Sequence, residues 1–143
     1  MTAGFAGKKV LVTGGAGFIG TALARQYAQS AERWVVIDNL LPQVHGPVPT
    51  VETVPGVEYK RADVRDVSGV REAVIGCQPD VVVHLAAETG TGQSLSMPSL
   101  HTDVNVTGTA RLLEALEDHL PQRVVLTSSR AVYGEGDWVD AVG

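Results

Sequence analysis

The sequence predicts an α/β domain, a doubly wound parallel sheet, and three observations lead there. Short apolar runs recur along the chain, separated by helical or loop segments long enough to act as crossovers. The run at 34–37 is apolar throughout and bounded by polar residues, as a central strand buried on both faces must be. The first run leads through the glycine-rich stretch VLVTGGAGFIG into helical periodicity, so a tight turn joins a strand to a helix. Five strands joined by four right-handed crossovers give, most simply, the order 3-2-1-4-5.

Each element has its own signal. Residues 8–13 are the first strand, and the helix after the glycine turn covers 18–29 with Ile19, Leu23 and Tyr27 on the face toward the sheet. The second strand, 34–37, carries Asp38 at its carboxyl end. Residues 40–56 hold four prolines and no sustained period, which predicts an extended surface loop where a helix could have stood. The third strand covers 57–60, and the helix after it starts at Asp66 or Ser68 as cap and ends at Gly76. The fourth strand is 80–85, and the polar, glycine-rich 88–94 is a loop that either lines a pocket or only connects. A long helix over 98–118 follows, with Ser96 as N-cap, Pro98 in its first turn, and Val106, Ala110, Leu113 and Leu116 on the buried side. Strand five is 122–126, closed by the hydroxyls of Thr127, Ser128 and Ser129.

The chemistry starts at the glycines. The first backbone N–H groups of a helix have no intrahelical partner and sit at the positive end of its dipole, so a diphosphate can bind there without a basic side chain. Gly15, Gly17 and Gly20 spell G-x-G-x-x-G, while Gly14, Gly17 and Gly20 spell a looser G-x-x-G-x-x-G. Gly14 and Gly15 allow turn angles that a Cβ forbids, Gly17 allows close approach, and Gly20 allows the helix to pack on the strand. A ligand-free tight turn is the plain alternative. Asp38, at the end of the next strand, is where a ribose diol needs an acceptor pair, and this context predicts dinucleotide binding. Asp38 would repel an added ribose phosphate and no arginine follows it closely in sequence, which favours NAD over NADP. Asp63, past the third strand, is placed for an adenine amino group, and a solvated charge cluster is its alternative. Ala86 and Ala87 are small where the backbone must pass the nicotinamide end.

Composition excludes other classes. Eleven basic residues against sixteen acidic ones give a net charge of −5 without a Lys/Arg cluster, which argues against nucleic-acid and anionic-membrane surfaces. No apolar run approaches a membrane span and the start of the chain lacks a signal-peptide core, so a single soluble cytoplasmic domain over 1–143 is expected. Cys77 is the only cysteine and reads as a small buried hydrophobe; the four histidines show no ligand spacing, and no metal is expected.

TGGAGFIG, the DNL at Asp38, ADVRD from Ala62, HLAA from His84, DVNVTGT from Asp103 and SSRAVYGEG from Ser128 together resemble the extended short-chain dehydrogenase/reductases, in order from Lys8 to Gly136. Within that superfamily the chain resembles the nucleotide-sugar epimerases and dehydratases. AAETGTGQS and SSRAVYGEG look most like the 4-epimerases of dTDP-6-deoxyhexoses such as dTDP-L-rhamnose. The resemblance implies a Rossmann-type fold and NAD held by Gly14, Gly17, Phe18, Ile19, Gly20, Asp38, Asn39, Asp63, Val64, Leu85, Ala86 and Ala87. It implies a dTDP- or UDP-sugar substrate touching Glu88, Thr89 and Ser128, a catalytic hydroxyl at Ser129, and a homodimer in the full-length enzyme. A strand-end serine satisfying local backbone groups is the plain reading of Ser129. The reaction implied is inversion of a sugar hydroxyl, at C4, through a transient ketone. The dehydratases of the family place an Asp-Glu pair after the catalytic hydroxyl; Arg130 and Ala131 stand here, which favours an epimerase or a ketoreductase.

The family's Tyr-x-x-x-Lys pair does not occur in these 143 residues: Tyr133 is followed four residues later by Asp137. The expectation is therefore an N-terminal NAD-binding part, lacking the last strands and the sugar-binding domain and inactive alone. A non-catalytic dinucleotide- or partner-binding module is the other reading. Either way the fifth strand should form a sheet edge, and the chain should self-associate.

Overall fold

The computed structural model describes residues 4–134; the stretch 136–143 and Asp137 lie outside them. The elements are β1 (Lys9–Thr13), α1 (Phe18–Tyr27) with a 3-10 turn Ala28–Ser30, β2 (Arg33–Asp38), α2 (Pro42–His45), β3 (Val57–Arg61), α3 (Val67–Cys77), β4 (Val81–His84), α4 (Thr91–Ser96), α5 (Pro98–Thr102), a π-helical turn Asp103–Thr107, α6 (Gly108–Ala115), β5 (Arg123–Leu126) and a 3-10 turn Arg130–Tyr133. The five strands form one parallel sheet in the order β3-β2-β1-β4-β5, as expected for a Rossmann-like fold.

Alternation along the strands builds two cores. Leu11, Val35, Ile37 and Val82 point to one face, where α3 and α6 bring Val70, Val74, Leu112 and Leu116. Val10, Val12, Trp34, Val36 and Val83 point to the other, covered by Ala24 and Ala28 and bordered by Phe5 and Tyr27. Asp66 caps α3, its carboxylate accepting from the Ser68 amide at 3.1 Å, and the helix ends one residue beyond Gly76, on Gln78 in the left-handed conformation.

Several expectations change. The 40–56 segment contains the one-turn α2, started by Pro42, and 88–94 runs into the short α4. The long helix expected over 98–118 is present over 98–115 as α5, a π-helical turn and α6 in unbroken succession, but Ser96 does not cap it: its hydroxyl donates to the Gln93 carbonyl. The buried side is Val104, Gly108, Leu112, Ala115 and Leu116, while Val106 and Leu113 face solvent. On α1 Gly20 and Ala24 are buried and Leu23 and Tyr27 pack against the core as expected, while Ile19 is exposed at the first turn. Among the described residues no helix is long and apolar enough to cross a membrane.

Candidate functional site

The strand order reverses between β1 and β4, and a cleft of about 350 Å³ opens above their carboxyl ends. Its floor is the glycine turn. Gly14 has φ +65°, and a Cβ there would stand 2.6 Å from the Ala86 nitrogen, so β1 and β4 can converge only around a glycine. Gly15 does different work from that expected: a Cβ there would meet Val36 at 2.8 Å, so the residue is excluded by packing rather than by turn angle. Gly20 packs α1 onto the turn, its Cβ position lying 2.4 Å from the Gly15 Cα. Gly17 is the open position, where the nearest atom to a Cβ would be the Gly14 carbonyl oxygen at 3.4 Å. Gly14, Gly17 and Gly20 therefore line the cleft and Gly15 lies behind them. Gly17 is also the N-cap of α1, which has no side-chain cap and no acidic residue in its first turn. The helix presents bare amides and the positive end of its dipole to the cleft.

Asp38 stands across the cleft and already holds two backbone amides. Its Oδ2 accepts from Ala16 N at 3.1 Å and its Oδ1 from Leu40 N at 2.9 Å. An ionised carboxylate has about four acceptor positions, so one remains on each oxygen, the pattern a vicinal diol matches. Leu40 adopts φ +57°, a strained angle for a non-glycine residue, held by that amide bond and by Leu41 N donating to Asn39 Oδ1 at 3.2 Å. The residues present thus fit a dinucleotide: an open glycine, uncapped amides and a carboxylate with spare acceptors share one cleft.

Asp63 borders an adjoining hollow with Arg61 and Asp66, and Asn39 and Ala62 line both that hollow and the cleft. Arg65 grips its carboxylate through Nε at 2.9 Å and Nη2 at 2.8 Å, and Asn39 Nδ2 donates at 3.1 Å. The Arg65 guanidinium holds the Asp63 carboxyl far below the usual carboxylate range. Arg65 also reaches Asp103 at 3.3 Å, so the cluster ties the ends of β2 and β3 to the π-helical turn. Arg61 pairs in register with Asp38, so an arginine distant in sequence lies on the strand next to it.

Comparison with known proteins gives this geometry its context. Residues 10–140 match the model of the NAD dependent epimerase/dehydratase family. The chain belongs to that family. It is 51% identical over 140 residues to dTDP-L-rhamnose 4-epimerase of Burkholderia thailandensis, covering 96% of this chain and 39% of the relative. It is 36% identical to UDP-glucose 4-epimerase of Streptomyces lividans, covering 94% of this chain and 40% of that protein. Among solved structures, UDP-glucose 4-epimerase from Brucella ovis in complex with NAD superposes with a TM-score of 0.76 at 33% identity, over 91% of this chain and 38% of the other. The chain thus spans about two fifths of the length of these relatives.

Of the residues singled out in the sequence, the cleft gathers Gly14, Gly17, Phe18, Ile19, Gly20, Asp38, Asn39, Val64, Leu85, Ala86, Ala87, Glu88 and Thr89. Ser128 and Ser129 are exposed past the end of β5, outside this lining. Sequence reasoning missed Leu41, Val44 and His45 on the loop and turn after β2, and Val104. His45 is buried in the wall, its Nε2 3.6 Å from Asp38 Oδ1. The proline-rich segment gave no period from which these could be read. Among the described residues no three His, Cys, Asp or Glu side chains group as metal ligands.

Proposed function

We propose that this chain is the N-terminal, NAD-binding part of a nucleotide-sugar epimerase that inverts a sugar hydroxyl, at C4, through a transient ketone. The observation that carries the reading is the uncapped start of α1 at Gly17, open onto a cleft that also holds Asp38. The Phe18, Ile19 and Gly20 amides would hold the diphosphate, and Asp38 the adenosine ribose hydroxyls. Asp63, held in place by Arg65 and Asn39, would face the adenine amino group, with Ala62 and Val64 beside the ring. Leu85, Ala86 and Ala87 would border the nicotinamide. When bound, NAD accepts a hydride from the sugar carbon and returns it. Ser129 would hydrogen-bond the reacting hydroxyl, with Glu88, Thr89 and Ser128 toward the sugar. The likeness to the Burkholderia thailandensis dTDP-L-rhamnose 4-epimerase favours a dTDP-6-deoxyhexose over a UDP-sugar. Cytoplasmic location and a homodimer of the longer enzyme belong to the same proposal.

Calorimetric titration of NAD into this chain tests the reading. Saturable binding is expected, weakened about tenfold or more in Gly17→Ala, whose Cβ intrudes on the cradle but meets little else in the fold. Equal affinity of Gly17→Ala and the parent chain would remove α1 from the site. Asp38→Ala should lower NAD affinity and narrow its margin over NADP.

A further inference from the structure

His84, the last residue of β4, is 3% exposed, and Thr13 beside it is fully buried. The Nδ1 of His84 lies 2.6 Å from Thr13 Oγ1, and its Nε2 lies 3.0 Å from Thr109 Oγ1. The other bonds of these hydroxyls favour one direction for each contact. Thr109 donates its single hydroxyl proton to the Asn105 carbonyl at 2.7 Å, so toward His84 it can only accept, and Nε2 carries the ring proton. Bare Nδ1 then accepts from the Thr13 hydroxyl, which itself accepts from the Ala86 amide at 3.3 Å. On the far side the Asn105 side chain clasps Glu88 at both backbone groups: Oδ1 accepts from Glu88 N at 2.8 Å, and Nδ2 donates to Glu88 O at 3.0 Å. The His84 carbonyl accepts from Thr127 Oγ1 at 3.0 Å, which ties in the end of β5. Burial pushes the imidazole below its ordinary value, in keeping with a neutral ring.

We propose that His84 is a positioning residue for the cleft: as the neutral Nε2–H tautomer it joins the glycine turn, the strand-end loop from Ala86 to Glu88 and Asn105 in one directed chain of hydrogen bonds. An imidazolium would reverse the 2.6 Å bond and deprive the Thr13 proton of its acceptor. Thr13 precedes Gly14, and Ala86 is the residue against which Gly14 is packed, so the chain sets the gap between two walls of the cleft. Its effect on cofactor affinity rests on the NAD-binding reading; the network itself does not.

Nitrogen-15 spectra of labelled histidine in the 143-residue chain near neutral pH read the ring directly. A protonated Nε2 and a bare Nδ1 are expected for His84; a protonated Nδ1 overturns the proposal. Amide hydrogen exchange then tests the coupling. His84→Phe should speed exchange at Ala86 and Glu88 together, about tenfold, and acceleration at Ala86 alone would show that the chain does not reach Asn105. Should that variant fail to fold, Thr109→Val must alter Ala86 exchange across the ring while Thr109→Ser must not; an unchanged Ala86 in Thr109→Val sinks the coupling. NAD titration of the same samples separates the two ideas. A chain with the expected ring spectrum that binds no NAD refutes the cofactor reading alone, and one that binds NAD with the proton on Nδ1 refutes the network alone.

Discussion

Two side chains illustrate how the fold responds to acid. His84 is buried neutral with its folded pKa below the ordinary 6.5, so the unfolded chain binds the proton first, and stability present above that value is lost as pH falls through the folded one. The Asp63 carboxyl, paired with Arg65, is depressed below 3.8; its contribution is complete above that value and goes only as the pH drops toward the folded one. Wild-type chain should therefore lose more of its urea midpoint than Asp63→Asn on passing from about pH 5 to about pH 3. Equal losses would mean that the Arg65 pair contributes nothing to folding. Cys77 offers a simpler check. Burial pushes its thiol up to about 11, and it is 2% exposed, so a thiol reagent should react with it only on unfolding. This residue was legible in sequence because one cysteine between a helix and a strand has little to do but pack. The cluster around Asp63 was not, since Asn39 reaches Asp63 and Asp103 reaches Arg65 only after the ends of β2 and β3 meet the π-helical turn.

At the scale of elements, β1, β2, β4 and β5 were readable because each holds an apolar run, β3 (VEYKR) is the polar edge strand beside β2, and the strand order follows from crossover handedness. The helical stretch before β5 was readable too, but its buried face was not. Its buried face is marked by Gly108, which carries no hydrophobic signal yet sits where a Cβ would meet Val64 at 2.8 Å. The π-helical turn Asp103–Thr107 adds a further shift of phase, and together they turn Val106 and Leu113 outward. Leu112→Ala should cost about 2–5 kcal/mol in chemical denaturation, and Leu113→Ala within about 0.5 kcal/mol of nothing. The reverse ranking would restore the face expected from sequence. This turn also bears Asn105, so the irregularity aims the side chain that clasps Glu88.

For the whole molecule, the sheet among the described residues ends at β5, where Val124, Val125 and Leu126 are 42%, 39% and 62% exposed and one edge pairs with no described strand. Such an edge pairs with other chains. Light scattering of the 143-residue chain should show association that grows with concentration and is reduced by Val125→Lys; a monodisperse monomer at every concentration would count against it. Among the described residues none of β5 lines the cleft, so NAD affinity and association should vary independently. Its tightest joint also bears on redesign. Because Asp38 secures the Ala16 amide as well as facing the cleft, trading it for a smaller residue to admit a ribose phosphate would unfasten the glycine turn in the same stroke. A cofactor swap in this scaffold therefore has to supply a new acceptor for Ala16 before it supplies a new cation, and a library that varies Asp38 alone will select mostly for weaker binding of every dinucleotide.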